Sequence, residues 1–574
     1  MTDTTNATTA ETMATTIDDC VALEGDYGDD DDDDDDEDDD DYITAPGVIV
    51  LDSSTIGNGA SGRAMGWIGH GYQVPRESLM GNAIDCHPPP PRTSVPMLLR
   101  SAQAWAHRVG LTDAPPPARY DANVACALHE LTVDGYDRVR DIVASYGIDC
   151  EWSEGGCVHG SIRDDDGGGE GNDDDDDDGS RVLTPEQVNG IMGRPTSSDD
   201  EVGLYRGGIY EPNCGSVNPL RLTLGLADAV ERWGVRIYED TKVVKLVKKE
   251  EEERRQRRVD VDVDVLREKG EENGEGGDER RRCDRGRYAV ITDGGHVVRC
   301  DHVVLCTGAA STSRDVSRRL SRSFLPFYTY MTATEPLGEG YPMKDGALEK
   351  ELSRGGGRLS DNMDDGDGNE LRDPPAQPAA APTYGDDHLI LNYWRGNGNG
   401  SNRDYDDGSS RSRVLFGSLG DTYPFPMWFV SLRLRNALSE VYPQLRDVRF
   451  DEIWGGKLAF SPNSMPLIGR DLDFDDDDED NGGENLTKGG VWYATAFAGH
   501  GIIPTAVAGS LIANAILGIP DRQQWKLFHE HFPPSSWNGY PFSRLGAGTV
   551  LMLYNVWDWL GKRGVPLPSL PDLW

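Results

Sequence analysis

The sequence predicts an α/β domain joined to an α+β domain, and three observations lead there. "GVIVLD" (Gly47–Asp52) and "HVVLCTG" (His302–Gly308) are short continuous apolar runs ending in acidic or small residues, as strands of a buried parallel sheet do. "PLRLTLGLADAVERWG" (Pro219–Gly234) opens with proline, closes with glycine, and puts Leu220, Leu224, Ala227 and Val230 on one helical face. "RYAVITDGGHVVRC" (Arg287–Cys300) is two alternating runs around an Asp-Gly-Gly turn, which predicts a hairpin.

Taken in chain order, the pattern begins with what a folded domain cannot use. Asp29–Asp41 is thirteen consecutive carboxylates. Six stretches, 1–41, 164–179, 248–287, 354–385, 397–412 and 471–486, are rich in Asp, Glu, Gly, Arg or Ser and poor in apolar residues. They bury too little surface to offset the entropy of ordering, so they read as disordered insertions or tails. The net charge of −45 is concentrated there: Asp29–Asp41, Asp164–Asp178 and Asp471–Glu484 carry 13, 10 and 9 acidic residues. The remainder is only mildly acidic, so strong repulsion of nucleic acid would come mainly from these stretches, and no nucleic-acid partner is expected.

Between these stretches the apolar strand at Gly47–Asp52 comes first. The 219–234 helix follows, then "VRIYEDTKVVKLV" as strand, turn and strand, then the hairpin, then the strand at His302. That order indicates a nucleotide-binding sheet assembled from separated parts of the chain. The nine cysteines lack zinc spacing and suit a reducing compartment, with Cys300 and Cys306 read as core thiols. No signal peptide or mitochondrial presequence is legible at the N-terminus, so the expected location is cytoplasmic. "LGAGTVLMLYNVWDWLG" (Leu545–Gly561) is too short, with Asn555 and Asp558 inside it, to predict a membrane span; it reads as a surface-docking helix.

"VIVLDSSTIGNGASGRAMG" (Val48–Gly66) resembles the FAD-dependent oxidoreductases of the D-amino acid oxidase-like family, in the branch of glycine oxidase, sarcosine oxidase and gamma-glutamylputrescine oxidoreductase. "GGIYEPNCGSVNPLRLTLGLADAVERWGVRIYEDTKVVKL", "HVVLCTGAAS", "YMTATEPL", "IWGGKLAFSPNSMPLIGR" and "VWYATAFAGHGIIPTAVAGSLIANAILG" follow in the family's order, and the tail around Tyr540–Lys562 resembles the same branch. The resemblance implies a Rossmann-like FAD-binding domain, degenerate at its first βα unit, with an antiparallel-sheet substrate domain. The implied division gives residues 42–80, 205–320 and 450–525 to FAD, 81–204 and 321–449 to the substrate, and 526–574 to a helical tail.

The site residues follow from that resemblance, and several have a physical reason as well. Asp52 at a strand end can accept hydrogen bonds from ribose hydroxyls, or simply cap a turn. Ser61, Gly62 and Arg63 form a small turn with a positive charge, suited to a phosphate or ribityl chain. Val243, Thr307 and Gly308 fall where the family lines its cofactor crevice. Gly499, His500 and Gly501 precede an apolar helix, expected over Thr505–Leu517, whose N-terminus would face the flavin's electron-rich end. Arg395 is the candidate for a substrate carboxylate, with Tyr393 and Trp454 as pocket walls. Met65 and Ala496 stand where the family commonly has glycine. No metal site is expected. The implied reaction is hydride transfer to FAD from a small-molecule amine or amino acid.

One feature of the sequence opposes this. The GxGxxG turn expected before Gly47 is absent, and Cys20–Leu23 with Gly25 is the nearest remnant, flanked by Glu24 and Asp26. A carboxylate about 6 Å from a phosphate costs roughly 2–3 kcal/mol at an effective dielectric of 20. A helix dipole returns only about 0.3–1 kcal/mol. Two further readings therefore stay open: a homologue that keeps the fold without FAD, and an acidic protein that binds calcium or basic partners through its Asp runs.

Overall fold

In chain order the strands are β1 (Ile49–Leu51), β2 (Trp67–Gly69), β3 (Cys157–Ser161), β4 (Arg181–Leu183), β5 (Gly207–Glu211) and β6 (Cys214–Ser216). They continue with β7 (Arg236–Tyr238), β8 (Val243–Lys248), β9 (Tyr288–Thr292), β10 (Val297–Cys300), β11 (His302–Leu305) and β12 (Leu325–Thr334). The last are β13 (Thr383–Asp386), β14 (Tyr393–Asn397), β15 (Arg413–Asp421), β16 (Phe450–Phe460), β17 (Leu467–Arg470) and β18 (Gly490–Thr495). The computed structural model describes residues 47–72, 122–162, 179–194, 204–248, 286–310, 314–338, 342–343, 347–354, 382–386, 388, 391–397, 412–461, 463–474, 489–519, 524–534 and 548–549. The Asp29–Asp41 run, the Cys20–Gly25 remnant, most of the six biased stretches and most of Leu545–Gly561 lie outside the described residues.

The largest sheet has eight strands in the order β16-β12-β15-β14-β13-β3-β5-β4. All its pairs are antiparallel except β13 with β3. Alternation along each strand gives the sheet two faces. On one, Val158, Tyr384, Trp394 and Phe416 join Val430, Leu434 and Leu438 of the helix Met427–Val441 in a single core. The opposite face carries the polar and aromatic side chains of the candidate site.

The expected hairpin forms as β9 and β10, with Gly295 of its turn at φ +81. The parallel strands form as well, β1 with β7 and β11 with β18, but as two separate pieces among the described residues. They are not buried on both faces as expected: Val48 is 46% exposed and Val304 43%.

The helix Pro219–Arg232 is capped by the Asn218 side chain, which accepts from Arg221 N at 3.2 Å, and Gly234 ends it at φ +80. Its buried face is not the one read from the sequence. Leu222 and Ala229 are buried, whereas Leu220, Leu224 and Val230 are exposed, because Leu222 and Leu226 are the side chains that join the cluster of Val217 and Ile148. Two biased stretches also extend too far. Thr383–Asp386 is an interior strand, and Asp471 is wholly buried, accepting from Ser317 Oγ at 2.6 Å. Cys306 is exposed, so it is not a core thiol.

The helix over Ile502–Ile516 begins three residues before its expected start. It packs against the helix Ala122–Ser145 closely enough that a Cβ at Gly135 would lie 2.5 Å from Val507 Cγ2. The division expected at 205 and 450 runs through the eight-stranded sheet, which takes β5 and β16 as members.

Candidate active site

Register across the eight-stranded sheet assembles the site. Trp454 pairs with Met331, Met331 with Gly417, Gly417 with Tyr393, Tyr393 with Gly385, Gly385 with His159. Directly paired residues point to the same face, so Trp454, Met331, Tyr393 and His159 stand in one row, with Gly417 and Gly385 as the positions without a side chain. Arg395, two residues beyond Tyr393, shares that face and is only 7% exposed. The sequence-predicted substrate residues Tyr393, Arg395 and Trp454 are thus brought onto one surface.

A second element closes over this row. Trp67 in β2 lies with its ring 5.2 Å from His159 and 5.0 Å from His500. Trp454 is tied to the short Ala60–Arg63 helix by its Nε1, which donates to the Arg63 carbonyl at 2.9 Å. Arg63 donates in turn to the Asn58 side chain and to the Gly455 carbonyl.

Several residues of this site escaped the sequence reading: Trp67, Cys157, His159, Glu211 and Cys214. His159 Nε2 lies 3.3 Å from Cys157 Sγ and 3.7 Å from Glu211 Oε2, and Cys214 Sγ donates to the same carboxylate oxygen at 3.6 Å. The only sequence signal was Cys157-Val-His159, two reactive side chains on one strand face. Their partner Glu211 arrives through the β3–β5 ladder, with Cys157 opposite it.

Protein surrounds these groups on most sides, yet the His159 side chain keeps 22% of its surface accessible and Glu211 keeps 42%, the condition of a cleft wall. Burial opposes charge on His159, but Cys157 and Glu211 outweigh it and hold the imidazole pKa well above its ordinary value. Burial pushes the Glu211 carboxyl up, and its contact with His159 more than reverses this, leaving it below the usual range. His500 goes the other way: burial, then the neighbouring His159, bring it down to about 4. The two imidazoles beside Trp67 are thus pushed in opposite directions, His159 toward its charged form and His500 toward its neutral form.

The cofactor-side residues divide into three positions. Asp52 follows β1, and its Oδ1 accepts from Ser54 N at 2.9 Å, the turn-capping arrangement. Ser61 and Gly62 lie on the short helix, where a Cβ at Gly62 would come 2.1 Å from the Gly57 carbonyl oxygen, so this glycine serves chain packing. Gly66 is similar, at φ +88 with a Cβ position 1.9 Å from the Val217 oxygen. Gly66→Ala is expected to cost about 2 kcal/mol and to displace Trp67, read as a lower thermal midpoint together with loss of retained flavin. Val243 begins β8 and packs beside Leu51, Val303 and Leu305. Thr307 and Gly308 follow β11, and the Gly308 carbonyl accepts from Thr495 Oγ1 at 3.1 Å. Gly499 is at φ +93, and Gly501 caps the Ile502–Ile516 helix without a side-chain bond. Ala496, at φ +61, adopts the left-handed conformation that glycine favours.

The residues fit a flavin at its ring end. His500 Nδ1 is buried without a hydrogen-bond partner among the described residues, beside the uncapped N-terminus of a fifteen-residue helix. Gly308 has open space where a Cβ would stand. An electron-rich ring edge would satisfy both the imidazole and the helix N–H groups. Among the described residues no group of His, Cys, Asp or Glu side chains is placed to hold a metal ion, and no helix is long and apolar enough to cross a membrane.

Comparison with known proteins identifies relatives along most of the chain. The chain is 23% identical over 516 residues to a probable oxidoreductase, OrdL, of Haemophilus influenzae, covering 89% of this chain and 86% of that protein. It is 23% identical over 524 residues to gamma-glutamylputrescine oxidoreductase of Escherichia coli, covering 90% and 88%. Glycine oxidase from Geobacillus kaustophilus superposes with a TM-score of 0.46 at 14% identity, covering 82% of this chain and 88% of that one, a likeness too low to carry an assignment by itself. The family described as FAD dependent oxidoreductase (DAO) matches residues 42–515. The chain belongs to that family, and is an oxidoreductase with FAD as its cofactor.

Proposed function

We propose that this chain oxidises the C–N bond of an amino acid or another primary or secondary amine. The observation that carries the reading is the single sheet face on which Trp454, Tyr393, Arg395 and His159 stand, closed by Trp67 and His500. The gamma-glutamylputrescine oxidoreductase relative, named for an amine substrate, supports the choice of reaction.

Bound FAD supplies the acceptor for the hydride lost from the carbon next to nitrogen. The chain's residues do the rest. Trp454 and Tyr393 wall the cleft and exclude water. Burial pushes the Tyr393 hydroxyl up to about 12, so at neutral pH it donates a hydrogen bond and does not act as a base. Arg395 contributes positive charge to the same face. Neutral His500 orients what lies against its free Nδ1 without adding charge.

The test starts from the full chain given excess FAD and then desalted. Retained visible flavin bands are expected, bleached anaerobically by at least one amine and not by the matching alcohol. A colourless but folded protein, or bands that no amine bleaches, overturns the reading.

A further inference from the structure

We propose that the outer side of the helix Met427–Val441 is the docking surface for this chain's own C-terminal segment, residues 550–561. The proposal does not rest on the amine-oxidation reading, because this helix packs on the sheet face opposite the site.

The helix is apolar on two opposite sides. Val430, Leu434, Leu438 and Val441 are buried in the core behind the eight-stranded sheet. At about 100° per residue, Trp428 and Leu432 each point about 160° away from Val430. Trp428 is 71% exposed, Leu432 51%, and Met427 beside them 48%. The Trp428 ring stands edge-on to Phe429 at 5.8 Å, and Phe429 packs on Phe425 at 5.0 Å, so these side chains form one apolar surface. A helix that is apolar all round is one that is covered all round, and an exposed apolar patch of this kind marks an interaction site.

The occupant is indicated where that surface begins. In the turn from β15 into the helix, Asp421 Oδ1 accepts from Thr422 Oγ1 at 3.2 Å and from Tyr423 N at 3.3 Å. Gly548 lies against the same turn: a Cβ there would come 3.2 Å from Thr422 Oγ1 and 3.5 Å from Asp421 Oδ1. Gly548 and Thr549 are helical. In the residues that follow, Val550, Leu553, Trp557 and Leu560 recur at spacings of three and four, while Asn555, Asp558 and Lys562 fall on the far side. Continued as helix, residues 550–561 carry an apolar stripe about 18 Å long, against about 22 Å for Met427–Val441. A stripe that leaves from the Asp421 turn has Met427, Trp428 and Leu432 within its length.

Two physical arguments favour this segment over other occupants. Joined to the turn through Thr549, it docks at a high effective concentration, an advantage that a separate molecule lacks. Its polar side, Asn555, Asp558 and Lys562, is not the Lys- and Arg-rich face of a helix that lies on a membrane, and a net charge of −45 sets a second copy or an anionic lipid surface at a disadvantage.

The test places p-benzoylphenylalanine at position 428 of the full chain, followed by irradiation and peptide mapping. A cross-link to residues 550–561 in a product of monomer mass is expected. A product of dimer mass assigns the surface to a second copy, and labelling of added phosphatidylcholine vesicles in place of the segment assigns it to a lipid surface; either overturns the proposal, as does cross-linking to no segment. A second measurement uses natural residues. Trp428→Ser and Trp557→Ser are each expected to lower the thermal midpoint by about 2 °C or more. The double variant should lose no more than the larger single loss, because both substitutions remove the same contact. A midpoint unchanged by Trp428→Ser, or single losses that add in the double variant, overturns the proposal.

Discussion

Trp394→Ala is expected to destabilise the protein by about 3–5 kcal/mol, the cost of deleting a large buried aromatic side chain. Trp394 is wholly buried, stacked on Tyr384 at 5.7 Å and Phe416 at 5.9 Å, with Tyr442 edge-on at 6.1 Å. Its Nε1 donates to the Tyr442 hydroxyl at 3.0 Å. The cavity would open directly behind the site, because Trp394 lies between Tyr393 and Arg395 on β14 and faces the opposite side of the sheet. Trp394→Phe keeps the stacking and loses the hydrogen bond, so its expected cost is smaller, about 1–2 kcal/mol. Denaturant midpoints of the three proteins test the order. Equal midpoints for wild type and Trp394→Ala would show that this core does not support the sheet.

Asp386→Ala should be comparably severe. The Asp386 carboxylate is buried and accepts from Asn392 N at 3.0 Å, Asn392 Nδ2 at 2.9 Å, His388 N at 3.3 Å and His388 Nδ1 at 2.8 Å. The Tyr205 hydroxyl stands a further 3.5 Å away. Alanine would leave these donors buried without an acceptor, and breaking such a network costs about 3–5 kcal/mol. Asp386→Asn retains a carbonyl oxygen and should recover part of the loss. Because Asp386 directly follows Gly385, the Ala variant should also disturb the contact of Gly385 with the His159 ring. Thermal midpoints of the wild type, Asp386→Ala and Asp386→Asn test the order. A normal midpoint for Asp386→Ala would rule the network out as a support.

How far the sequence could be read depended on whether the deciding interaction was local. The Asp-Gly-Gly hairpin and the Asn218-Pro219 helix start were legible because turn geometry and capping are settled within a few residues. The leucine stripe of that helix pointed the wrong way: Leu220 and Leu224 have helical spacing, but the neighbours that cover Leu222 and Ala229 come from distant segments. Thr383–Asp386 is too short to show a period and follows a proline- and alanine-rich stretch, so composition concealed it. It is a strand because β14 and β3 supply hydrogen bonds on both sides.

The site divided in the same way. Motifs around Asp52, Arg63, Thr307 and Gly499–Gly501 were visible as strings, and so were Tyr393, Arg395 and Trp454 as candidates. Composition also exposed the conflict between an acidic N-terminal run and an anionic cofactor. None of these strings shows which residues are neighbours.

By itself the sequence determined the hairpin, the capped helix, the family motifs and the flavin chemistry they imply, since each is written within a short span of chain. Tertiary structure alone decided that His159 stands beside Gly385 in the row that also holds Tyr393 and Trp454, and that Glu211 and Cys157 meet its ring. Side-chain alternation is a property of one strand, but the register that aligns six strands from distant parts of the chain is fixed only when their backbones pair and one sheet face is buried.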